Sequence, residues 1–174
     1  MVFFIGGGMM SEEKLQMFNS PLEVGFRALA LLTEDYPASY SLQRLVILDY
    51  LIVHSDDLSD GPKGLHPKTP HRGGELLVRR AALEKGLLFY QSKGLLERHF
   101  MESGVLYSAN ERSASFLDVL TTKYIVALRA LAEWLVKEFG EYSDLELSEL
   151  VKREAGEWGA EFEMSSALRK GIEQ

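Results

Sequence analysis

The chain has 174 residues, a formal net charge of −7, 46% apolar and 26% charged residues, and no cysteine. That balance excludes a disordered chain, and the missing cysteine excludes disulfides, thiolate metal sites, iron–sulfur clusters and cysteine nucleophiles. No run of about 18 apolar residues occurs, so no membrane-spanning helix is expected, and a reducing cytoplasm suits the composition.

Met1-Val2-Phe3-Phe4-Ile5-Gly6-Gly7-Gly8 is apolar but lacks the cationic start and small-residue cleavage site of a signal peptide. Residues 1–19 read as a flexible tail, and Met9 or Met10 as an alternative start. Ser20 and Pro21 open the first helix, one as cap and the other at the first helical position. Leu22, Phe26, Leu29 and Thr33 share its stripe, and Pro37 ends the segment. Ser41 caps a second helix from Leu42 to about His54. Its run Leu45–Val53 is apolar almost all round, as expected of a central, buried helix.

A long connection, residues 55–73, is rich in Pro, His and Arg rather than Ser and Gly, which favours an ordered loop. Helical spacing returns from about Gly74 to Ser92, with Leu76, Leu83, Leu87 and Tyr90 on one face. Gly86 leaves open whether this is one helix or two. Lys93-Gly94 has the form of a C-cap. Two extended segments, Leu95–Phe100 and Val105–Ala109, flank a glycine-containing turn and read as a β-hairpin. Helices are then expected over 111–120 and 123–139, with Gly140 as a stop. Ser143-Asp144-Leu145-Glu146 fits a capping box opening a last helix that carries Leu147, Leu150, Val151, Ala155 and Trp158. The domains expected are the tail (1–19), a core (20–140) and a C-terminal helical arm (141–174).

Charge is unevenly spread along these elements. Residues 1–60 sum to −6, residues 61–100 to +5, residues 101–132 to zero and residues 133–174 to −6. A cationic middle between acidic ends makes a dipolar molecule that can contact an anionic surface locally.

The order helix, helix, hairpin, helix carries meaning. Lys93-Gly94-Leu95-Leu96-Glu97-Arg98 followed by Gly104-Val105-Leu106-Tyr107 resembles the end of the recognition helix and the wing of a winged-helix domain, over roughly residues 41–110. The fold class expected is therefore mainly α: a winged-helix-like core with one short hairpin and additional C-terminal helices. Such a domain can bind DNA through a basic helix face. Here Leu87-Leu88-Phe89-Tyr90 occupies the second half of that helix. These side chains cannot all be buried on one side, so some face outward, which suits a protein partner better than a nucleic-acid groove.

A narrower likeness lies in Leu48-Asp49-Tyr50-Leu51-Ile52-Val53-His54-Ser55 and in the loop Leu65-His66-Pro67-Lys68-Thr69-Pro70-His71-Arg72-Gly73-Gly74-Glu75-Leu76 with Leu77-Val78-Arg79-Arg80 after it. With Gly86-Leu87, Gly94-Leu95-Leu96-Glu97 and Phe116-Leu117, these residues resemble the middle-component family of bacterial ABC-ATPase three-component systems, related to Lamassu-type antiphage defence. The likeness covers about residues 20–140. It implies a non-enzymatic adaptor that links an SMC- or Rad50-like ABC ATPase to an effector such as a nuclease, with DNA reached through the complex. The candidate contact residues for partner or DNA are His66, His71, Arg72, Arg79, Arg80, Lys85, Lys93 and Arg98. The alternative expectation is a winged-helix transcription regulator.

Rival chemistries have weaker support. His54, His66, His71 and His99 invite a metal, but their spacing matches no dedicated site. Asp49, inside an apolar helix, reads either as a general base with a raised pKa or, more simply, as an ion-pair partner of Arg72 or Arg79. Gly6-Gly7-Gly8 lacks the Lys-Ser/Thr of a phosphate-binding loop. No catalytic set, metal or cofactor is expected.

Overall fold

The computed structural model describes residues 2–5, 8–11, 19–66 and 75–154. Two short strands, β1 (Val2–Ile5) and β2 (Gly8–Ser11), pair antiparallel with each other within the stretch read as a tail. Helix α1 (Pro21–Glu34) starts as the sequence dictates: Ser20 Oγ accepts from Glu23 N at 3.3 Å and Pro21 sits at the first position. The helix places Leu22, Phe26, Leu29 and Thr33 on one stripe, and Leu22 at its start is 52% exposed. Helix α1 lies centrally and is enclosed on several sides, so Val24, Ala28, Leu29, Ala30, Leu31 and Leu32 are all buried while Leu22, in the first turn, stays at the rim.

Strand β3 (Ser39–Ser41) leads directly into α2 (Leu42–Val53), with Ser41 Oγ accepting from Arg44 N at 3.0 Å. Every residue from Arg44 to Val53 is buried, as expected of a central helix. A 3-10 turn, Ser55–Asp57, folds the chain back. Tyr50 Oη donates to Asp57 Oδ2 (2.6 Å), Ser55 Oγ to Pro62 O (2.8 Å), and His66 N to Val53 O (3.4 Å). Residues 55–66 of the long connection are thereby fastened to the end of α2.

Helix α3 (Glu75–Ser92) is continuous. Gly86 does not break it. Gly86 is where α3 crosses α1, face to face with Gly25: a Cβ on either would lie 2.7 Å from the other's Cα. Helix α3 ends in a Schellman cap, with Leu95 N donating to Tyr90 O (3.0 Å), Gly94 N to Gln91 O (2.9 Å), and Gly94 at φ +71°.

The hairpin follows as β4 (Leu96–Met101) and β5 (Gly104–Ala109), paired from Leu96↔Ala109 to Met101↔Gly104. β3 adds to its other side, giving an antiparallel sheet in the order β3-β5-β4. Helices α4 (Glu111–Asp118), α5 (Lys123–Phe139) and α6 (Asp144–Glu154) follow. Asn110 caps α4 in a reciprocal box with Ser113, and Thr122 caps α5. The expected capping box at α6 is present: Ser143 N donates to Glu146 Oε2 at 2.7 Å and Glu146 N to Ser143 Oγ at 3.2 Å. The chain is mainly helical with a small antiparallel sheet. No helix among the described residues is long and apolar enough to cross a membrane.

Leu147 and Val151 bring α6 into the same core as α1, α2, α3 and α5. Ala155 and Trp158, expected on this helix, lie outside the described residues. Arg44 fastens the α5–α6 corner. Its guanidinium donates to Phe139 O (3.0 Å), Gly140 O (2.9 Å) and Tyr142 O (2.5 Å), and lies 3.4 Å from Asp144 Oδ1. The Arg44 head also stacks 4.6 Å over the Tyr40 ring. One side chain from α2 thus satisfies the carbonyl end of α5 and pairs with the first residue of α6.

Candidate docking surface

The cationic residues singled out from the sequence divide into two groups. Asp49, fully buried on α2, accepts from Arg27 Nε at 2.6 Å and from Arg27 Nη2 at 3.1 Å, and Arg79 Nη1 contacts its Oδ2 oxygen. Burial pushes the Asp49 carboxyl up, but Arg27 and then Arg79 outweigh it and hold the group below its ordinary value. Asp49 is therefore an ion-pair centre and not a base with a raised pKa. Arg79 is one of the two partners expected for it. The other, Arg72, lies outside the described residues, as does His71. Arg27 escapes a reading of the sequence, because an arginine in the middle of an amphipathic helix reads as solvated.

His66 is buried beside this cluster. Burial, with the positive charges of Arg27 and Arg79 against the opposing Asp49, pushes its imidazole down to about 3. The structure corrects the expectation that Arg79 and His66 lie on the contact surface. Arg79 is 3% exposed and bound to Asp49, and His66 is 8% exposed, so neither presents its side chain outward. The physical reason is the carboxylate at position 49: once buried in α2, it draws its counter-charges inward.

The second group stays outside. Lys85 is exposed on α3, Lys93 is exposed in the turn that follows it, and Arg98 is exposed on β4. Arg80 is half-buried, with Nε 3.6 Å from Glu84. Lys93 Nζ lies 5.4 Å above the Phe89 ring and the Arg98 guanidinium 4.9 Å above the Phe100 ring. These cations sit among large apolar side chains that have no cover: Val78 (68% exposed), Leu88 (58%) and Phe89 on α3, with Phe100 (73%), Met101 and Val105 at the hairpin tip. Val78, Lys85 and Leu88 fall on one stripe of α3 by helical spacing. The expectation that part of Leu87-Leu88-Phe89-Tyr90 faces outward holds, since Leu87 and Tyr90 are buried whereas Leu88 and Phe89 are not.

The hairpin abuts α3. Tyr107, directly across from Arg98 in the ladder, feels the charges of both Arg98 and Glu84, and burial pushes its phenol up. The outer stripe of α3 and the face of β4–β5 that carries Arg98, Phe100 and Val105 therefore adjoin. Exposed aromatic and aliphatic groups interleaved with Lys and Arg fit a protein interface, where aromatic residues and Arg are enriched.

Among the described residues no group of three or more His, Asp or Glu is arranged to hold a metal ion. His99 Nε2 lies 2.7 Å from Ser108 Oγ across the hairpin, a contact between diagonal neighbours that ties β4 to β5.

A family model for the ABC-three component (ABC-3C) system Middle Component 2 matches residues 17–161. No curated protein and no solved structure matches the chain.

Proposed function

Because the chain belongs to the Middle Component 2 family of ABC-three component systems, and so is a component of such a system, we propose that it is a non-enzymatic adaptor that joins the ABC ATPase component to an effector component, in an antiphage role. The observation that carries this reading is the uncovered apolar surface on α3 and the hairpin, with Leu88 and Phe100 more than half exposed and Lys85, Lys93 and Arg98 around them. A large apolar patch rimmed by charge has its simplest use in binding another polypeptide.

The ABC ATPase is the occupant proposed for this surface. The patch is cationic, so it favours an acidic counterpart and disfavours symmetric pairing with the same patch of a second copy through like charge. Helix–strand–helix–helix–hairpin order supports a winged-helix reading of the core. The apolar character of Leu88, Phe89 and Phe100 argues against a nucleic-acid groove, where phosphate contacts dominate affinity.

The experiment is co-expression with the two other components of the system and purification through a tag on this chain. The wild type is expected to recover the ATPase component, and Leu88→Asp and Phe100→Asp to lose it while remaining folded. Undiminished recovery with both variants overturns the surface assignment, and recovery of the chain alone overturns the adaptor reading.

A further inference from the structure

Away from the docking surface, the first turn of α1, the C-terminal half of α3 and the first turn of α5 close around a cleft of about 300 Å3. Phe26, Tyr90 and Tyr124 contribute three aromatic rings to it, Leu22 and Ile125 add aliphatic wall, and Glu23 contributes the one carboxylate. The rings of Phe26 and Tyr90 are 6.3 Å apart and tilted by 57°.

Glu23 Oε2 is shut off from solvent and has no hydrogen-bond partner. A carboxyl oxygen in that position costs free energy until a donor reaches it. Two neighbouring groups, the Tyr90 hydroxyl and the Arg27 guanidinium, are already engaged, whereas Tyr124 Oη is, like Glu23 Oε2, buried without a hydrogen-bond partner. Tyr90 Oη donates to Leu22 O at 3.1 Å. Arg27, one turn along α1, gives its guanidinium to Asp49, with Tyr124 beside it. The charge of Glu23 is nevertheless felt in the cleft. The Tyr90 phenol is pushed up to about 12 by burial and then by Glu23, and Tyr124 is raised by burial, with Arg27 opposing and Glu23 adding to the rise. Aromatic walls attract a cation through their ring quadrupoles, and a carboxylate without a counter-ion supplies the rest of the recognition. The volume lies at the lower end of the range for small-ligand pockets, enough for one long side chain.

We propose that this cleft seats a single lysine or arginine side chain presented by another component of the three-component system. The inference rests on the family reading for the source of the side chain, and it is independent of the α3–hairpin surface.

The test titrates the full chain with N-acetyl-lysine methylamide and N-acetyl-arginine methylamide, with N-acetyl-norleucine methylamide as the neutral control, and reads aromatic NMR signals. Saturable displacement of the Phe26, Tyr90 and Tyr124 signals is expected with the two cationic probes, at least tenfold weaker in Glu23→Gln, with Phe100 unmoved. Equal shifts with the norleucine probe, or no saturable shift with either cation, overturn the site. Glu23→Gln and Tyr124→Leu are both used, so that a folding defect in one leaves the other informative. In the co-expressed assembly, Glu23→Gln is expected to reduce recovery of the partner at least tenfold. Full recovery of the assembly beside lost probe binding contradicts a polypeptide source and indicates a free small cation. The Leu88 and Phe100 variants test the adaptor reading separately, so failure of the cleft and failure of that reading give different results.

Discussion

The Asp49 carboxylate, enclosed by Arg27 and Arg79, fixes how three helices meet, since its partners come from α1 and α3 while it stands on α2. Removing the negative charge leaves two guanidinium groups facing each other in the interior. Asp49→Asn is expected to cost about 3–5 kcal/mol, the range for breaking a buried pair, and urea unfolding at neutral pH measures it. His66 adds a pH dependence of definite sign. Its folded pKa, about 3, lies below the ordinary 6.5. The unfolded chain therefore takes up the proton first, and stability is lost as pH falls from about 6.5 toward about 3. One proton of difference gives a slope of about 1.4 kcal/mol per pH unit in that window. Asp49, held below its ordinary value, acts in the same direction only at more acid pH. Urea unfolding at pH 7 and pH 5 is expected to show the loss in the wild type and a smaller loss in His66→Gln. Of these residues, the sequence exposes the buried carboxylate and one of its two partners. Arg27 stays hidden because no local pattern marks an arginine whose counter-charge lies on another helix.

Gly25 and Gly86 set the distance between α1 and α3. Each lacks a Cβ where the other's backbone stands at 2.7 Å, and backbone cannot yield as a side chain would. Alanine at a helix-interior glycine normally gains about 1 kcal/mol of propensity. At Gly86 the overlap is expected to dominate, so that Gly86→Ala is destabilising by about 1–3 kcal/mol net in thermal or urea unfolding. The C-terminal corner has its own anchor. Arg44→Ala removes the donors to Phe139 O, Gly140 O and Tyr142 O. Amide exchange is expected to quicken in α6 and in the last turn of α5 while α1 and α2 keep their protection. Most helices are legible because their start signals are local: Ser20-Pro21, Ser41, and the Ser143-to-Glu146 box all lie within four residues of what they cap. β3 is not legible, since Ser39-Tyr40-Ser41 has one buried ring and acquires its strand character only by pairing with β5 far along the chain. Gly86 is ambiguous for a related reason: a glycine inside a helix reads as a break until the crossing helix is in place.

Across the molecule, interior and surface charges do different work. The central carboxylate consumes Arg27 and Arg79 and so makes the bundle specific, whereas Lys85, Lys93 and Arg98 surround apolar groups left uncovered on α3 and the hairpin. The sequence shows that part of the 87–90 run must face outward, but not which cations join it, because that depends on where α3 turns its faces. Leu88→Asp and Phe100→Asp alter exposed positions, so thermal midpoints are expected to stay near the wild type, within about 0.5 kcal/mol of stability. Loss of either side chain from a packed interface is expected to weaken association by about 2 kcal/mol, roughly 30-fold. The most direct measurement is hydrogen–deuterium exchange on this chain, alone and in the assembly with its ABC ATPase component. Slowed exchange in the exposed turns of α3 and at the tip of the β4–β5 hairpin is the expected result. Protection confined to other surfaces, with Val78–Ser92 and Leu96–Ala109 exchanging as in the free chain, contradicts it.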